Sequence, residues 1–206
     1  MLEFFIAALV IGIAPGPDNL FVLAQSATYG ARLGFCIILG LCTGIAIQIC
    51  LLVAGVSALI AASPTAFFVI QCLGAAYLLY LAYKSFQMRT GTVEIDKGGS
   101  TLHELPSARK LYLRGIIMNM TNPKVILFIL SLIPPAVRLD RPIHPSLQTA
   151  IFGAEFIIAT MIVFGTIAIL AGTVKKYLLN SPKANRNLNW FSGCVFVLLA
   201  IALFII

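Results

Sequence analysis

The stretch Ile13-Ala14-Pro15-Gly16-Pro17-Asp18-Asn19-Leu20 lies in the middle of the first apolar segment of the chain. A proline inside a helix removes a backbone donor and clashes with the preceding turn. An ionised carboxylate at bilayer depth costs about 2.5–3.5 kcal/mol on insertion scales. Two prolines, a glycine and Asp18 together leave two readings. Either the segment does not span a membrane, or the break is where the protein works.

The surrounding sequence favours the second. Of 206 residues, 60% are hydrophobic and only 10% are charged, with a mean hydropathy of +1.02. A soluble domain carries about 25% charged residues, so this chain lacks the polar surface to coat a water-soluble globule. Six apolar stretches are long enough to cross a bilayer at roughly 20 residues per helix. They cover about 2–27, 33–60, 64–83, 111–133, 147–172 and 188–206. Pro64 suits the first turn of the third, with Ser63 as its cap. The only long polar connection is 84–110, whose Gly91, Gly98, Gly99 and Pro106 mark a flexible loop. The first Lys or Arg is Arg32, so residues 1–27 lack a leader's basic start and read as a retained span.

The net charge is +7, and its placement carries information. Eleven of the fourteen Lys and Arg residues fall in the first, third and fifth connections or at their edges. The other side has only Arg138 and Arg141, and Lys124 lies within a span. The bias places the 84–110 loop in the cytoplasm and both termini outside. Basic runs without interleaved aromatics suit anionic lipid head groups, not nucleic acid. Cys36, Cys42, Cys50, Cys72 and Cys194 all sit in apolar segments without a C-x-x-C pair, as packing residues do. His103 and His144 stand apart in loops, which gives no metal cluster. No G-x-x-x-x-G-K-[ST] loop is present, so ATP hydrolysis by this chain is not expected. No cofactor and no enzymatic activity are expected.

Six spans invite a test for two halves of three, the second inverted because each half holds an odd number of spans. Gly74 with Tyr77 in the third span matches Gly193 with Phe196 in the sixth. The breaks match better. The fourth span carries Asn119-Met120-Thr121-Asn122-Pro123-Lys124, so Pro123-Lys124 answers Pro17-Asp18. Interrupted apolar segments at corresponding places in two halves point to a transport site. The fold expected is all-α and polytopic. It has two inverted three-helix repeats, 1–83 and 111–206, with the first and fourth helices broken at mid-membrane.

Each proline can open a second half-helix, where its missing N–H costs nothing. Thr121 or Asn122 can cap the one in the fourth span. The half-helices would then begin near one point, with free N–H groups and positive dipole ends converging there. Asp18 and Lys124 add an anion and a cation at the same depth. A zwitterion can engage both, its ammonium on Asp18 and its carboxylate on Lys124. A fixed Asp18–Lys124 ion pair locking the halves together is the alternative. Pro15, Gly16, Pro17, Asn19, Asn119, Asn122 and Pro123 complete the candidate site. Gln48, midway along the second span, is expected to bond between helices or to touch substrate. Glu155 is the other intramembrane acid; it can relay protons to Asp18 or pair with Arg138 or Arg141. Gly40-x-x-x-Gly44 reads as a close helix contact.

Pro15-Gly16-Pro17-Asp18-Asn19-Leu20, Tyr29-Gly30-Ala31-Arg32-Leu33-Gly34, Leu73-Gly74-Ala75-Ala76-Tyr77-Leu78-Leu79-Tyr80-Leu81 and Asn122-Pro123-Lys124 occur in this order. In these motifs, and in length and span count, the chain resembles the LysE/RhtB family of bacterial amino-acid exporters. The resemblance implies a multi-pass protein of the bacterial cytoplasmic membrane that exports an amino acid, coupled to protons. Lys124 argues against a basic substrate, so a small neutral amino acid moved by alternating access is the expectation. A metal cation or other small solute is the alternative cargo. A membrane-embedded redox or scaffold protein is a more distant alternative. Protons, membrane lipids and the amino acid are the expected partners, and exposed apolar surface leaves a homodimer open.

Overall fold

The computed structural model describes residues 2–14, 16–61, 64–87, 106–138, 140–171, 173, 182–202 and 204. Ser63 and most of the 84–110 loop, with its cytoplasmic placement, lie outside these. Among the described residues the apolar runs form eight helices, and prolines decide where several begin. They are α1 (Leu2–Ile13), α2 (Pro17–Tyr29), α3 (Ala31–Ala61), α4 (Pro64–Gln87), α5 (Ala108–Thr121), α6 (Pro123–Ala136), α7 (Pro145–Ile169) and α8 (Pro182–Ala202).

Two uninterrupted stretches, Ala31–Gly55 and Pro145–Ile169, have 25 residues each. At 1.5 Å per residue each is about 37 Å long, enough for a hydrocarbon core of about 30 Å. Two further candidate spans are bent pairs. α1 meets α2 at 62° and α5 meets α6 at 56°. The expected breaks in the first and fourth apolar segments are thus real bends, each falling where a proline starts the second half. Among the described residues the chain is all-helical, with two to four candidate membrane spans.

Some boundaries differ from the sequence expectation. α4 continues past Tyr83 to Gln87, so polar Lys84 and Ser85 extend the helix. α8 starts at Pro182, inside the stretch read as a basic loop, because proline suits a first helical turn. Its apolar part is the shorter run Asn189–Ile201.

α3 is the central element, packed on both α5 and α7; α1 lies on α7, and α4 on α8. The α3–α5 crossing is close because neither helix has a side chain there. A Cβ on Gly115 would strike the Ile37 carbonyl and come within 3.1 Å of the Gly40 Cα. A Cβ on Gly44 would lie 2.7 Å from the Asn119 side chain. The Gly40-x-x-x-Gly44 pair is therefore a packing face, as its spacing predicts.

The core has two clusters. One joins Phe4, Ile11, Ile45, Val125, Phe128 and Phe156. The other joins Val22, Ile37, Leu41, Leu111, Val163 and Phe164. Outside, Leu51, Ile117, Ile158, Ile169 and Leu198 each expose more than half their surface. An apolar rim around buried charges suits lipid and not water.

Candidate functional site

The site is built where α1 and α5 stop. The last carbonyls of a helix have no partner within it. At the end of α1 they are taken by side chains from beyond the break. Asn19 donates through Nδ2 to the Gly12 carbonyl at 2.7 Å. Lys124 reaches across from α6 and donates through Nζ to the carbonyls of Ala14 at 2.9 Å and Ile11 at 3.2 Å. A cation on the negative end of a helix dipole is well placed. It also explains why a lysine is tolerated in the first turn of α6, at the wrong end of its own helix.

At the end of α5, Gln48 on α3 donates through Nε2 to the Asn119 side-chain oxygen at 2.9 Å and to its carbonyl at 3.2 Å. Thr121 does not cap α6; its hydroxyl donates back to the Ile117 carbonyl at 2.8 Å. Asn122 is the cap, accepting from the Lys124 backbone N–H through Oδ1 at 3.0 Å. Its other atom, Nδ2, donates to Asp18 Oδ2 at 2.7 Å. Asp18 lies in the first turn of α2, so this bond ties the starts of both half-helices together. α2 itself has only Gly16 at its cap position, with no side chain to cover its first N–H groups.

Asp18, Asn119, Asn122 and Lys124 are all buried. Lys124 bonds to backbone carbonyls and not to Asp18, so the two charges do not form the fixed pair weighed above. Asp18 Oδ1 and Asn19 Oδ1 are buried without a hydrogen-bond partner. Gly16 lies against Lys124; a Cβ there would stand 3.2 Å from Nζ.

Asp18 and Lys124 line the same small cavity, of about 20 Å³, with Ile11, Gly12, Asn119, Thr160 and two phenylalanines of α7, Phe156 and Phe164. It lies at the seam between the two core clusters. That volume admits about one water. A larger open cavity of about 900 Å³ lies at the ends of α1, α6 and α7, with Glu3, Arg138, Asp140 and Arg141 in its wall. Between the two stands an aromatic plug. The Phe128 ring lies tilted against Phe156 at 4.9 Å and against Phe4 at 5.7 Å between centroids, and Phe4 meets Phe152 at 5.0 Å.

The structure thus brings together Gly16, Pro17, Asp18, Asn19, Asn119, Asn122, Pro123 and Lys124 from the two motifs. Pro15 lies outside the described residues. Gln48 braces Asn119 and does not line the small cavity. Glu155, on α7, has a buried Oε2 without a partner and does not line it either. Sequence reading missed Thr160 and the phenylalanines of α7, which lack any motif. Among the described residues no three His, Cys, Asp or Glu side chains group as a metal site would need.

Broken helices whose ends converge on buried opposite charges, inside an apolar shell, are the arrangement expected of a membrane transport site. The chain belongs to the LysE type translocator family, matched over residues 9–206. It is 32% identical to an uncharacterised membrane protein of Vibrio cholerae over 197 residues, covering 95% of this chain and 92% of the relative. It is 31% identical to a protein of Salmonella typhi named homoserine/homoserine lactone efflux protein, over 95% of this chain and 91% of the relative. An uncharacterised membrane protein of Bacillus subtilis is 31% identical over 85% of this chain and 84% of its own length. No solved structure matches.

Proposed function

We propose that the chain exports a small neutral amino acid across the bacterial cytoplasmic membrane by proton-coupled alternating access. One observation carries the reading. Asp18, which has an unpartnered carboxylate oxygen, and Lys124, from the two broken helices, line one small cavity. The substrate ammonium meets Asp18 Oδ1. Its carboxylate meets Lys124 Nζ, which has one donor left after its two carbonyl bonds. The name of the Salmonella typhi relative makes homoserine the first substrate to try. A divalent cation is less suited, because the cavity offers it one carboxylate and a lysine.

Asp18 is the proposed proton site, exchanging its proton when the substrate ammonium leaves. Glu155 is the proposed relay. The aromatic plug supports alternating access, since it stands between the large cavity and the small one that Asp18 and Lys124 line. Six spans in two inverted halves, 1–83 and 111–206, form a single transmembrane unit. Exchanging the halves swaps the α3–α5 packing with α7–α1 and leaves the α3–α7 and α4–α8 contacts in place. Both termini face outside and residues 84–110 the cytoplasm. The open cavity, at the Leu2 end of α1, is then the exit.

The test is export from proteoliposomes across a panel of amino acids and divalent metals, with and without a proton gradient. Asp18→Asn should abolish amino-acid export while leaving the protein folded. Normal export by that variant, or transport of metals alone, sinks the proposal.

A further inference from the structure

Among the described residues, five helical threonines follow one habit, and exposed Thr173 and buried Thr160 do not. Thr28, Thr43, Thr121, Thr149 and Thr166 each turn their hydroxyl back to the carbonyl four residues earlier, at 2.7–3.0 Å. That bond is the default for a helical threonine with no other partner. Thr160 breaks the habit. It sits within α7, is only 5% exposed, and makes no hydrogen bond among the described residues. The carbonyl of Phe156 is one turn away and unused by it. Thr160 lines the small cavity together with Asp18 and Lys124.

A hydroxyl at a cavity wall that leaves its own helix unbonded is available to whatever enters the site. The two residues on either side along the same helix face, Phe156 and Phe164, are apolar, as are Ile11, Leu41, Ile45 and Val125 around the cavity. The cavity wall therefore has a polar pole, made by Asp18, Asn119 and Lys124, and an apolar pole with one hydroxyl set into it. An α-amino acid matches this division. Its ammonium and carboxylate belong at the polar pole, and its side chain must point toward α7.

Resting on the export function proposed above, we infer that Thr160 is the specificity-determining residue, and that its hydroxyl bonds a hydroxyl on the substrate side chain between Phe156 and Phe164. The pocket favours a short hydroxylated side chain over its methyl isostere. A site built to bond a substrate hydroxyl discriminates far more strongly than one that only measures size. In the present conformation the space is water-sized, so the walls part when substrate enters.

The experiment compares isosteric pairs in proteoliposomes containing the full chain. Homoserine is paired with norvaline, and threonine with valine. The wild-type chain should export the hydroxylated member of each pair faster. Thr160→Val keeps the shape and removes the hydroxyl; it should lower the preference about ten-fold, the scale of one hydrogen bond. Thr160→Ala should do the same without the branched methyl, and Thr160→Ser should keep the preference. An unchanged preference in the Val and Ala variants overturns the inference. So does equal loss of both members of a pair, which would make the hydroxyl a structural group. A wild-type chain that exports no amino acid sinks the function proposal itself, and the ligand assigned to Thr160 goes with it. The two failures stay distinct: export of both members of a pair at equal rates by the wild-type chain overturns the role of Thr160 and leaves the export function standing.

Discussion

Asn122 Nδ2 stands 2.7 Å from Asp18 Oδ2, and the bond joins residues 104 positions apart in the chain. Asn122 is also the cap of α6, so one side chain both starts that helix and fixes the carboxylate of the other broken span. A hydrogen bond to a charged group is worth about 1.5–3 kcal/mol net, and more is lost when a buried carboxylate is stranded.

Exchanging the two side chains tests this. Asn122→Asp keeps a cap oxygen but sets a second carboxylate beside Asp18, and Asp18→Asn removes the acceptor's charge. Each single change should lower the melting temperature in detergent. The double variant re-forms the bond with donor and acceptor exchanged, and should recover most of the lost stability. Additive losses in the double variant would show that the bond does not couple the two spans.

Lys124 closes the end of α1, and the prediction there separates charge from reach. Lys124→Met leaves the Ile11 and Ala14 carbonyls without their donor and Asp18 without a nearby cation. It should cost at least ten-fold in export and lower stability by about 1–3 kcal/mol. Gly16→Ala adds a methyl 3.2 Å from Nζ, and the flexible end of a lysine can move by the few tenths of an ångström needed. It should fold normally and export a few-fold more slowly. Wild-type export by both variants would remove Lys124 from the site. Thermal melts in detergent and export rates decide both.

These contacts divide sharply into those the sequence displays and those it hides. Pro17-Asp18 and Pro123-Lys124 announce themselves, because proline and charge are out of place in an apolar run. Their convergence follows from helix-end chemistry alone, with free N–H and C=O groups demanding partners. What stayed hidden was which partner each charge takes. Lys124 reaches the carbonyls of α1 and not Asp18, a choice set by how the bent pairs pack. Thr160 was invisible for the opposite reason. A threonine on an apolar helix face looks ordinary until its unused hydroxyl is seen against five that are used. The glycine crossing was half legible, since Gly40 and Gly44 show a pattern but their partner Gly115 does not.

Three glycines give a prediction with opposite signs. Gly115 packs its backbone against that of Gly40, so Gly115→Ala forces α3 and α5 apart. It should destabilise the protein by about 1–3 kcal/mol, as overpacking does. The Gln48–Asn119 bonds, one and two turns along, would loosen with it. Gly55 in α3 has nothing within 4 Å of a built Cβ. Gly55→Ala should therefore stabilise by about 0.5–1 kcal/mol through helix propensity. Gly30, between α2 and α3, also has open space but a φ of +89°. Gly30→Ala should destabilise on backbone grounds alone, by about 1–2 kcal/mol. Melting in detergent, read for all three, checks the pattern. A stabilised Gly115→Ala would mean that α3 and α5 are not in tight contact.

The last prediction concerns the aromatic plug. Phe128 is fully buried and bridges Phe4, which borders the large open cavity, to Phe156, which borders the small one. Shortening it removes the middle of the barrier while leaving both neighbours in place. In a chain freed of its five cysteines, a cysteine at Leu41 reports access to the small cavity. A membrane-impermeant thiol reagent added from the Leu2 side should label it slowly in the parent. Phe128→Ala should speed labelling several-fold, because the gap opens toward the large cavity. It should also lower stability by about 3–5 kcal/mol if the cavity does not collapse. Faster labelling with a smaller loss would mean that water has entered the gap. Unchanged labelling in a folded variant would show that the two cavities are separated by something other than these rings, and the gate would have to be sought along α1 and α7 instead.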